Sequence, residues 1–299
     1  MAISSAIEKG VPTVAQRLVD AFARHGVELV FGQSLPSAFF LAARPAGIRQ
    51  AAYRQENAGG AMADGYARIS GKVGVVAAQN GPAATLLVAP LAEALKASIP
   101  VIALVQDVTR GAVDRNGFQE LDHIRLFEPV VKWVRRLERA SRVDDYVDMA
   151  IVAATSGRPG PAVLLIPADL LTDPAPRSAN RRTRLGSYPL DRAGADAQSV
   201  VNAVKLLGEA RHPLIVAGGG VHSSGAAAQL ARLQDEMHLP VATTMMGKGA
   251  VDENHPLSIG VIGNSMGRGA RTHALKPMVD RADAILFVGN RTNQNGTDS

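Results

Sequence analysis

Hydrophobic and polar positions along the chain alternate between short apolar runs and amphipathic segments. The runs VGVVAA, VIALV and AVLLI are apolar without alternation, as expected for strands that are buried on both faces of a sheet. The segments between them carry apolar residues at helical spacing, as Val14, Leu18 and Phe22 do. Strand, helix and strand repeated in this order predict an α/β fold with a mainly parallel sheet covered by helices on both faces.

The pattern divides the chain into two blocks. The first is predicted to hold helices at 13–25, 57–70, 83–97 and 144–155, and strands at 28–31, 48–54, 73–78, 100–105 and 162–166. The second is predicted to hold helices at 197–210 and 224–237, and strands at 214–217, 241–244 and 284–288. Proline, arginine and small residues dominate the stretch between them. We therefore expect two doubly wound domains, 1–175 and 197–299, joined by a linker at 176–196.

The last ten residues, NRTNQNGTDS, follow a predicted strand with no closing helix. A domain rarely ends where its sheet has just opened, so the second domain is expected to be incomplete in these residues. The alternative is a natural terminus with a polar tail.

Composition narrows the classes of function. The net charge is +5, but the arginines are spread along the chain and aromatic residues make up only 4%, too few for a base-stacking surface, so no nucleic-acid partner is expected. There is no cysteine, and the seven histidines lack metal-ligand spacing, so no metal site is expected. No apolar run is long enough for a membrane span or a signal peptide, and a cytoplasmic protein is expected.

Glu56 is a candidate functional carboxylate because of its expected position. It follows a predicted strand and precedes the helix 57–70, with Asn57 expected as the N-cap. Ligands of open parallel sheets bind at this edge. The alternative is that Glu56 only complements the helix dipole. One face of this helix is mostly small, so another surface could approach its backbone; it consists of Ala58, Ala61, Met62, Gly65, Tyr66 and Ile69.

Two glycine turns are further candidates. In QNGPAAT, Gly81 ends a predicted strand and Pro82 opens a helix, so free N–H groups there could hold a polar ligand; an ordinary strand-to-helix turn is the alternative. In GGGVHSSG, Gly218, Gly219 and Gly220 separate a strand from a helix and suggest a nucleotide phosphate. The third glycine of a dinucleotide fingerprint is missing there, which makes an NAD site a weak match.

Taken together and in order, these motifs resemble a known family. The first domain carries VFG at 30–32, RQE at 54–56 with MADGYAR at 62–68, NGPAAT at 80–85, GFQELD at 117–122 and TSGRPGPAVLLIPAD at 155–169. It resembles the pyrimidine-binding domain of thiamine-diphosphate enzymes of the acetolactate synthase group, which includes benzoylformate decarboxylase and benzaldehyde lyase. HPLIVAGGGV at 212–221 and PVATTMMGKGA at 240–250 are similar to that group's Rossmann-like central domain.

The resemblance implies a role for Glu56. The matching glutamate of the family hydrogen-bonds a ring nitrogen of the thiamine aminopyrimidine and so activates the cofactor, which attacks the carbonyl of a 2-oxo acid. The reaction implied is decarboxylation, carboligation or both. A carboxyl that shares a proton near neutral pH needs a dry site, and Ala58, Gly59, Gly60 and Ala61 are expected to help provide one.

The resemblance implies further site residues by position. Gly32 and Gln33 match a glycine turn near the pyrimidine or substrate, although the QSLP that starts at Gln33 departs from the family's proline-glycine form. Gly81 and Pro82 match a turn that faces the cofactor. The residues that match positions lining the substrate pocket are Phe118, Gln119 and Lys132, with plain core packing as the alternative for Phe118.

In acetolactate synthases the central domain holds FAD in a structural role. The residues of this chain that match the lining positions are Gly218, Gly219, Gly220, Thr244, Met245, Met246, Gly289 and Arg291. The chain has Val261-Ile262-Gly263 where that group has a Met-His pair before a glycine. FAD, another adenine nucleotide and an empty domain therefore remain alternatives.

The family binds the diphosphate and Mg²⁺ through a Gly-Asp-Gly motif in a third domain, and this sequence contains no Gly-Asp-Gly. The chain alone is therefore expected to bind thiamine diphosphate weakly and to turn over no 2-oxo acid. Because the family's cofactor site lies between subunits, a homodimer or homotetramer is expected, with helix 57–70 facing the partner. Two rival functions remain: a nucleotide-binding module without thiamine chemistry, and a truncated, non-catalytic homologue.

Overall fold

Two parallel sheets organise the chain, each with its own core. The computed structural model describes residues 10–177 and 193–293, and these two ranges belong to separate compact units. The predicted linker at 176–196 and the end of the chain lie largely outside the described residues. Within the described residues, none of the helices is both long enough and apolar enough to span a bilayer.

The first unit contains six strands and seven α-helices among its described residues. The strands are β1 (Leu29–Phe31), β2 (Arg49–Ala51), β3 (Gly74–Gln79), β4 (Val101–Asp107), β5 (Trp133–Arg136) and β6 (Ala162–Pro167). The helices are α1 (Val14–Arg24), α2 (Ser37–Ala43), α3 (Glu56–Ser70), α4 (Pro82–Leu86), α5 (Val88–Ala97), α6 (His123–Phe127) and α7 (Val143–Thr155).

The strands of the first unit form one sheet in the order β2-β1-β3-β4-β6-β5, and every pairing is parallel. The predicted parallel α/β fold is therefore confirmed. The central strand β3 shows why its sequence is apolar throughout. Val75 and Ala77 pack into the core beneath α1, α2 and α7, whereas Val76 and Ala78 pack into the core beneath α3 and α5. A strand covered on both faces has no polar side.

The structure differs from the predicted elements in several places of this unit. The predicted helix 83–97 is two helices, α4 and α5, which meet at Leu87. Helix α2 was not predicted because seven residues hold too few turns for a periodic signal, although its residues Phe39 and Phe40 are buried. Helix α6 and strand β5 were not predicted, because α6 has only five residues and β5, an edge strand, carries the polar pair Arg135-Arg136.

The second unit repeats the architecture on a smaller scale. Its strands are β7 (Pro213–Ala217), β8 (Val241–Thr243), β9 (Ser258–Val261) and β10 (Ala284–Val288), paired in parallel in the order β10-β7-β8-β9. Its helices are α8 (Ala197–Glu209), α9 (Gly220–Ser224), α10 (Ala227–Met237) and α11 (Lys276–Asp280). The predicted helix 224–237 is interrupted at Gly225, whose φ of +66° ends α9 in the left-handed region. Strand β9 was not predicted.

Helix α3 uses its glycines for close packing within the unit. A Cβ at Gly59 would lie 2.2 Å from the ring of Tyr53, and one at Gly60 would lie 2.5 Å from Pro90. The Tyr53 ring cannot easily move away, because its hydroxyl donates a hydrogen bond to Ala77 O at 2.7 Å. Gly65 lies on another face of the same helix, where no atom lies within 4 Å of an added Cβ. Replacing Gly59 by alanine and replacing Gly65 by alanine should therefore change the stability of this unit in opposite directions.

Gly59→Ala should lower the free energy of unfolding of the first unit by about 1–3 kcal/mol, because the added methyl group overpacks the Tyr53 ring. Gly65→Ala should raise it by about 0.5–1 kcal/mol, because alanine is the better helix former. Trp133 is the only tryptophan and lies in the first unit, so its fluorescence during urea unfolding reports on this unit alone. Equal effects of the two substitutions would contradict the packing argument.

Buried charges join α1 to α7. Arg17 and Arg24 pair with Asp144 and Asp148, the Arg24–Asp148 distance being 2.6 Å. The Nε2 atom of His25 lies 2.7 Å from Asp148, and only 2% of the histidine side chain is exposed. Burial lowers the pKa of His25 below its ordinary 6.5, and the hydrogen bond to Asp148 opposes this only in part. His25 is therefore a group that the fold keeps neutral.

Because the pKa of His25 is lower in the folded chain, the unfolded chain binds more protons below pH 6.5. The contribution of His25 to stability should therefore be intact above this value and should fall as the solution is acidified from about pH 7 to about pH 5. His25→Gln should flatten this dependence of the unfolding free energy, followed through Trp133, whereas the exposed His238→Gln should not. If the unfolding free energy had the same pH slope in wild type and in His25→Gln, the pH dependence could not be attributed to His25.

Candidate functional site

The carboxyl edge of the first sheet gathers most of the predicted site residues of this unit. Gly32 and Gln33 follow β1, Glu56 opens α3 just after β2, and Gly81 follows β3. Because β2, β1 and β3 are neighbours and run in parallel, their carboxyl ends share one edge of the sheet. Ligands of open α/β sheets bind at such edges.

Glu56 is the first residue of α3 rather than the residue before it, and Gln55 is the N-cap. The prediction that Asn57 caps the helix is wrong, because its Oδ1 accepts from the neighbouring N–H of Ala58 at 2.8 Å. The Glu56 side chain is half-buried, and within residues 10–177 no hydrogen bond or ion pair engages its carboxylate. The N-terminus of a helix favours a negative charge. Glu56 is therefore positioned by the backbone alone.

Tyr53 lies close to Glu56 and forms part of its surroundings. Burial and the negative charge of Glu56 both raise the pKa of the Tyr53 hydroxyl, so the phenol stays neutral. Gly59 packs on the ring of Tyr53. The expected wall of four small residues is thus only partly present: Gly59 and Gly60 are buried within the unit, whereas Ala58 and Ala61 are exposed.

Amide side chains tie the turn after β1 to the segment before Glu56. Gln33 donates from Nε2 to Arg54 O at 3.0 Å and to Tyr53 O at 3.3 Å, and Gln50 donates to Gly32 O at 2.9 Å. A Cβ at Gly32 would lie 2.2 Å from the Phe40 ring, so glycine is required there by packing. Gly32 and Gln33 are therefore held beside the strand that leads to Glu56.

The turn at Gly81 meets the loop that carries Phe118 and Gln119. Gly81 has a φ of +62°, and a Cβ there would lie 2.8 Å from Gln119 O, while Pro82 opens α4. Asn80 donates from Nδ2 to Phe118 O at 2.7 Å and to Gln119 O at 3.1 Å. Phe118 is 77% exposed, so it does not serve as a core residue of this unit.

The sequence analysis missed the residues that hold this turn. The backbone N–H of Gly81 donates to Nε2 of His123 at 2.9 Å, and Nδ1 of His123 lies 3.1 Å from Asp107. The Gly81 N–H group is therefore already hydrogen-bonded within the unit and is not available to a ligand. Asp107 ends β4 and His123 begins α6, so only the fold joins them. No spacing in the sequence could have identified the pair.

Lys132 is the predicted site residue that the structure does not bring to this edge. It precedes β5, which runs parallel to β6, so it lies at the amino edge of the sheet. Its Nζ donates to Ser156 O at 2.9 Å, and its stem packs where a Cβ at Gly160 would lie. Within this unit Lys132 therefore lies apart from the other residues predicted to line the substrate pocket.

The carboxyl edge of the second sheet brings together the other predicted residues. Gly218, Gly219 and Gly220 follow β7, Thr244, Met245 and Met246 follow β8, and Gly289 and Arg291 follow β10. Neighbouring parallel strands carry all three segments, so they meet at one edge. Met245 and Met246 are 75% and 42% exposed, which places apolar surface at this edge.

The backbone of the glycine run, Gly218 to Gly220, is hydrogen-bonded to the residues at the end of β10. Gly218 N donates to Val288 O at 2.8 Å, and Gly220 N donates to Gly289 O at 2.9 Å. A Cβ at Gly218 would lie 2.4 Å from Gly289 O, so glycine is required by the approach of two chain segments. These two N–H groups are not available as a phosphate cradle, and a dinucleotide-type phosphate site is not supported here.

Two buried polar atoms at this edge lack a partner among the described residues. They are Oγ1 of Thr243, at the end of β8, and Nδ2 of Asn290, after β10. An unsatisfied buried polar group costs about 1–3 kcal/mol, so a polar ligand or water that reached either atom would be stabilising. Neither residue was singled out from the sequence. Among the described residues, no group of three or more His, Asp or Glu side chains could hold a metal ion.

Comparisons with known proteins identify the family to which each unit is similar. Residues 12–126 match the model of the thiamine pyrophosphate enzyme N-terminal TPP binding domain, and residues 200–299 match that of the thiamine pyrophosphate enzyme central domain. The first match includes the edge that carries Glu56 and Gly81, and the second includes the edge that carries the glycine run.

Individual relatives are similar to the chain over most of its length. An acetolactate synthase of Arthrospira platensis is 38% identical over 288 residues, which are 93% of this chain and 49% of the relative. An acetolactate synthase large subunit of Parasynechococcus marenigrum is 38% identical, and an acetolactate synthase of Mycobacterium bovis is 33% identical, each over 93% of this chain and 45% of the relative. The chain spans about half the length of these curated relatives. It belongs to the thiamine pyrophosphate enzyme family.

Proposed function

We propose that these residues are the pyrimidine-binding and central domains of a thiamine-diphosphate-dependent enzyme that decarboxylates or ligates 2-oxo acids, as acetolactate synthases do. The observation that carries the proposal is Glu56, a half-buried carboxylate without a side-chain partner at the carboxyl edge of the first sheet. A carboxylate whose only role is to complement the helix dipole would serve equally well when fully exposed. A carboxylate held between backbone and solvent is instead ready to bond a ligand.

Thiamine diphosphate, when bound, supplies a carbanion equivalent that adds to the carbonyl of a 2-oxo acid. The chain contributes placement and a proton site. Glu56 would hydrogen-bond the ring nitrogen of the aminopyrimidine and share a proton there. Tyr53, which lies close by, stays neutral because its pKa is raised by burial and by the charge of Glu56, and its hydroxyl donates to Ala77 O.

Two further segments would border the same cleft. The turn of Gly32 and Gln33 lies beside Glu56 and is fixed by the amide bonds of Gln33 and Gln50. The turn of Gly81 and Pro82 would face the cofactor, with Phe118 and Gln119 toward the 2-oxo acid. The exposure of Phe118 supports this, because a large apolar side chain held at the surface by an ordered loop is suited to contact another molecule.

A second copy of the chain is proposed to cover α3. The face predicted to be small is the exposed one: Met62 and Ile69 are 39% and 92% exposed, and Gly65 has open space beside it. Small residues between exposed apolar ones allow another surface to approach the helix backbone. A homodimer or homotetramer is the expected assembly, and Mg²⁺ with the diphosphate would be bound outside these residues.

FAD is proposed as the ligand of the second unit's carboxyl edge. Support comes from the exposed Met245 and Met246 and from the unpartnered atoms of Thr243 and Asn290. A flat, partly apolar ring system with polar edges fits this combination better than a phosphate does, since the N–H groups of Gly218 and Gly220 are engaged.

Glu56→Gln in the native protein that contains these residues should lower thiamine-diphosphate-dependent turnover of 2-oxo acids by at least about 100-fold, because an amide cannot share the proton. Steady-state kinetics with pyruvate as the first substrate would measure it. The control is Glu236→Gln, which changes an exposed carboxylate of α10 that pairs with Arg232. Turnover of Glu56→Gln within about threefold of wild type would refute the role of Glu56.

Purified protein should carry flavin absorbance, and acid extraction should release FAD in proportion to the protein. Replacing the exposed Met245 by Glu should reduce the extracted amount, because a carboxylate would enter an apolar surface. Met278→Glu, at an exposed methionine of α11, is the matched control. Release of another adenine nucleotide, or of none, would contradict the FAD assignment and would leave the role of Glu56 unaffected.

A further inference from the structure

His123 is the most thoroughly buried titratable side chain near the candidate cleft. Only 1% of its side chain is exposed, and it occupies the first position of α6. Both ring nitrogens are engaged: Nε2 lies 2.9 Å from Gly81 N, and Nδ1 lies 3.1 Å from Asp107 Oδ1. A histidine placed only to fill space would not need two partners at hydrogen-bonding distance.

The partners of His123 determine its tautomer. A backbone N–H group can only donate, so Nε2 must accept and carry no proton. An ionised carboxylate can only accept, so the proton must lie on Nδ1 and point to Asp107. The ring is therefore a neutral imidazole in a single orientation. Its acceptor nitrogen is aimed at the Gly81 turn, and its donor nitrogen is aimed into the unit.

Asp107 is itself held in place and kept ionised. Arg136 donates from Nε to Asp107 Oδ2 at 2.6 Å, and the N–H of Val108 donates to Oδ1 at 2.9 Å. Burial opposes ionisation of Asp107, but the hydrogen bonds from His123 and Arg136 outweigh it and lower the pKa of Asp107. Arg136 is fixed in turn by Glu138 at 2.8 Å. The side chains of His123, Asp107, Arg136 and Glu138 thus form one continuous chain of hydrogen bonds behind the Gly81 turn.

The turn and the loop in front of His123 are also bonded to each other. Besides the two hydrogen bonds from Asn80, Gln79 donates from Nε2 to Gln119 Oε1 at 3.3 Å. Glu120 closes the loop internally by accepting from Gly117 N at 2.8 Å and from Asp114 N at 2.7 Å. The loop runs directly into α6, whose first residue is His123. One imidazole therefore sits where turn and loop converge.

We propose that His123, held by Asp107 and Arg136, is a positioning residue that fixes the Gly81-Pro82 turn against the loop carrying Phe118 and Gln119. The cofactor-facing turn and the substrate-facing loop then form one rigid rim. That the rim borders a cofactor and a 2-oxo acid rests on the proposed function. The hydrogen-bond chain does not, because every contact in it lies within the first unit.

Two substitutions separate positioning from core filling. His123→Phe retains a ring of similar size and supplies no acceptor for Gly81. His123→Gln is less bulky and less apolar, but its side-chain oxygen reaches about as far as Nε2 and can accept the Gly81 N–H. A core-filling role predicts that Phe is the better replacement, whereas the positioning role predicts that Gln is.

The first measurement is amide hydrogen exchange followed by NMR on the 299-residue chain. His123→Phe should accelerate exchange at the Gly81 amide by about tenfold, and His123→Gln by no more than about threefold. The Ile215 amide of the second unit and the exposed His238→Phe variant serve as controls. In wild type, nitrogen shifts of the His123 ring should show the proton on Nδ1. A proton on Nε2, or equal protection of Gly81 in both variants, would overturn the proposal.

If His123→Phe does not fold, as judged by Trp133 fluorescence, the wild-type tautomer and the His123→Gln exchange rates still test the proposal.

The second measurement uses the native protein that contains these residues, with pyruvate as substrate. His123→Gln should keep kcat/KM within about threefold, and His123→Phe should lower it at least tenfold. Similar values for the two variants would contradict a positioning role. Absence of thiamine-dependent turnover in wild type would refute the proposed function alone, since the exchange data test the rim separately.

Discussion

The parallel pairing of β3 with its neighbours is the constraint on which the candidate site depends. Six residue pairs, from Gly74 with Val101 to Gln79 with Gln106, hold β3 to β4, and β1 lies on its other side. Parallel strands end at the same edge, so the turns after β1, β2 and β3 meet without any contact being required among their side chains. The cores on both faces stabilise this register, because a slip by one residue would move each side chain to the core on the opposite face. Glu56, Gly81 and Gln33 are thus brought to one edge by backbone pairing.

The sequence predicted the buried strands and the position of Glu56 because both depend on local pattern. A run such as AVLLI at 162–166 is apolar on every residue, and few other structures fit it. The contacts of His123 with Gly81 and Asp107 depend on strand order and loop path, which local periodicity does not contain. Lys132 shows the same limit: its neighbours in sequence matched a motif, but the direction of β5 places it at the opposite edge. Composition could not reveal either arrangement.

Helix α3 shows how one glycine-rich sequence serves two surfaces. Gly59 and Gly60 allow Tyr53 and Pro90 to pack within the unit. Ala58 and Ala61 are exposed on the other side of the helix, where Gly65 also has open space beside it. Periodicity identified the small-sided face but could not say which glycines were already occupied. The inward glycines are explained by packing alone, so only the outward face remains as an argument for a partner.

The half-exposure of Glu56 carries the argument beyond this unit. A carboxyl that is to hold a proton near neutral pH needs an environment that disfavours its charge. The N-terminus of α3 acts in the opposite direction, because it stabilises the carboxylate. The Glu56 side chain is only half-buried, so solvent still reaches it. The first unit alone therefore positions Glu56 and leaves it open to solvent. Removal of water must come from whatever covers the carboxyl edge, which is the physical reason to expect that the cofactor and a second protein surface complete the site together.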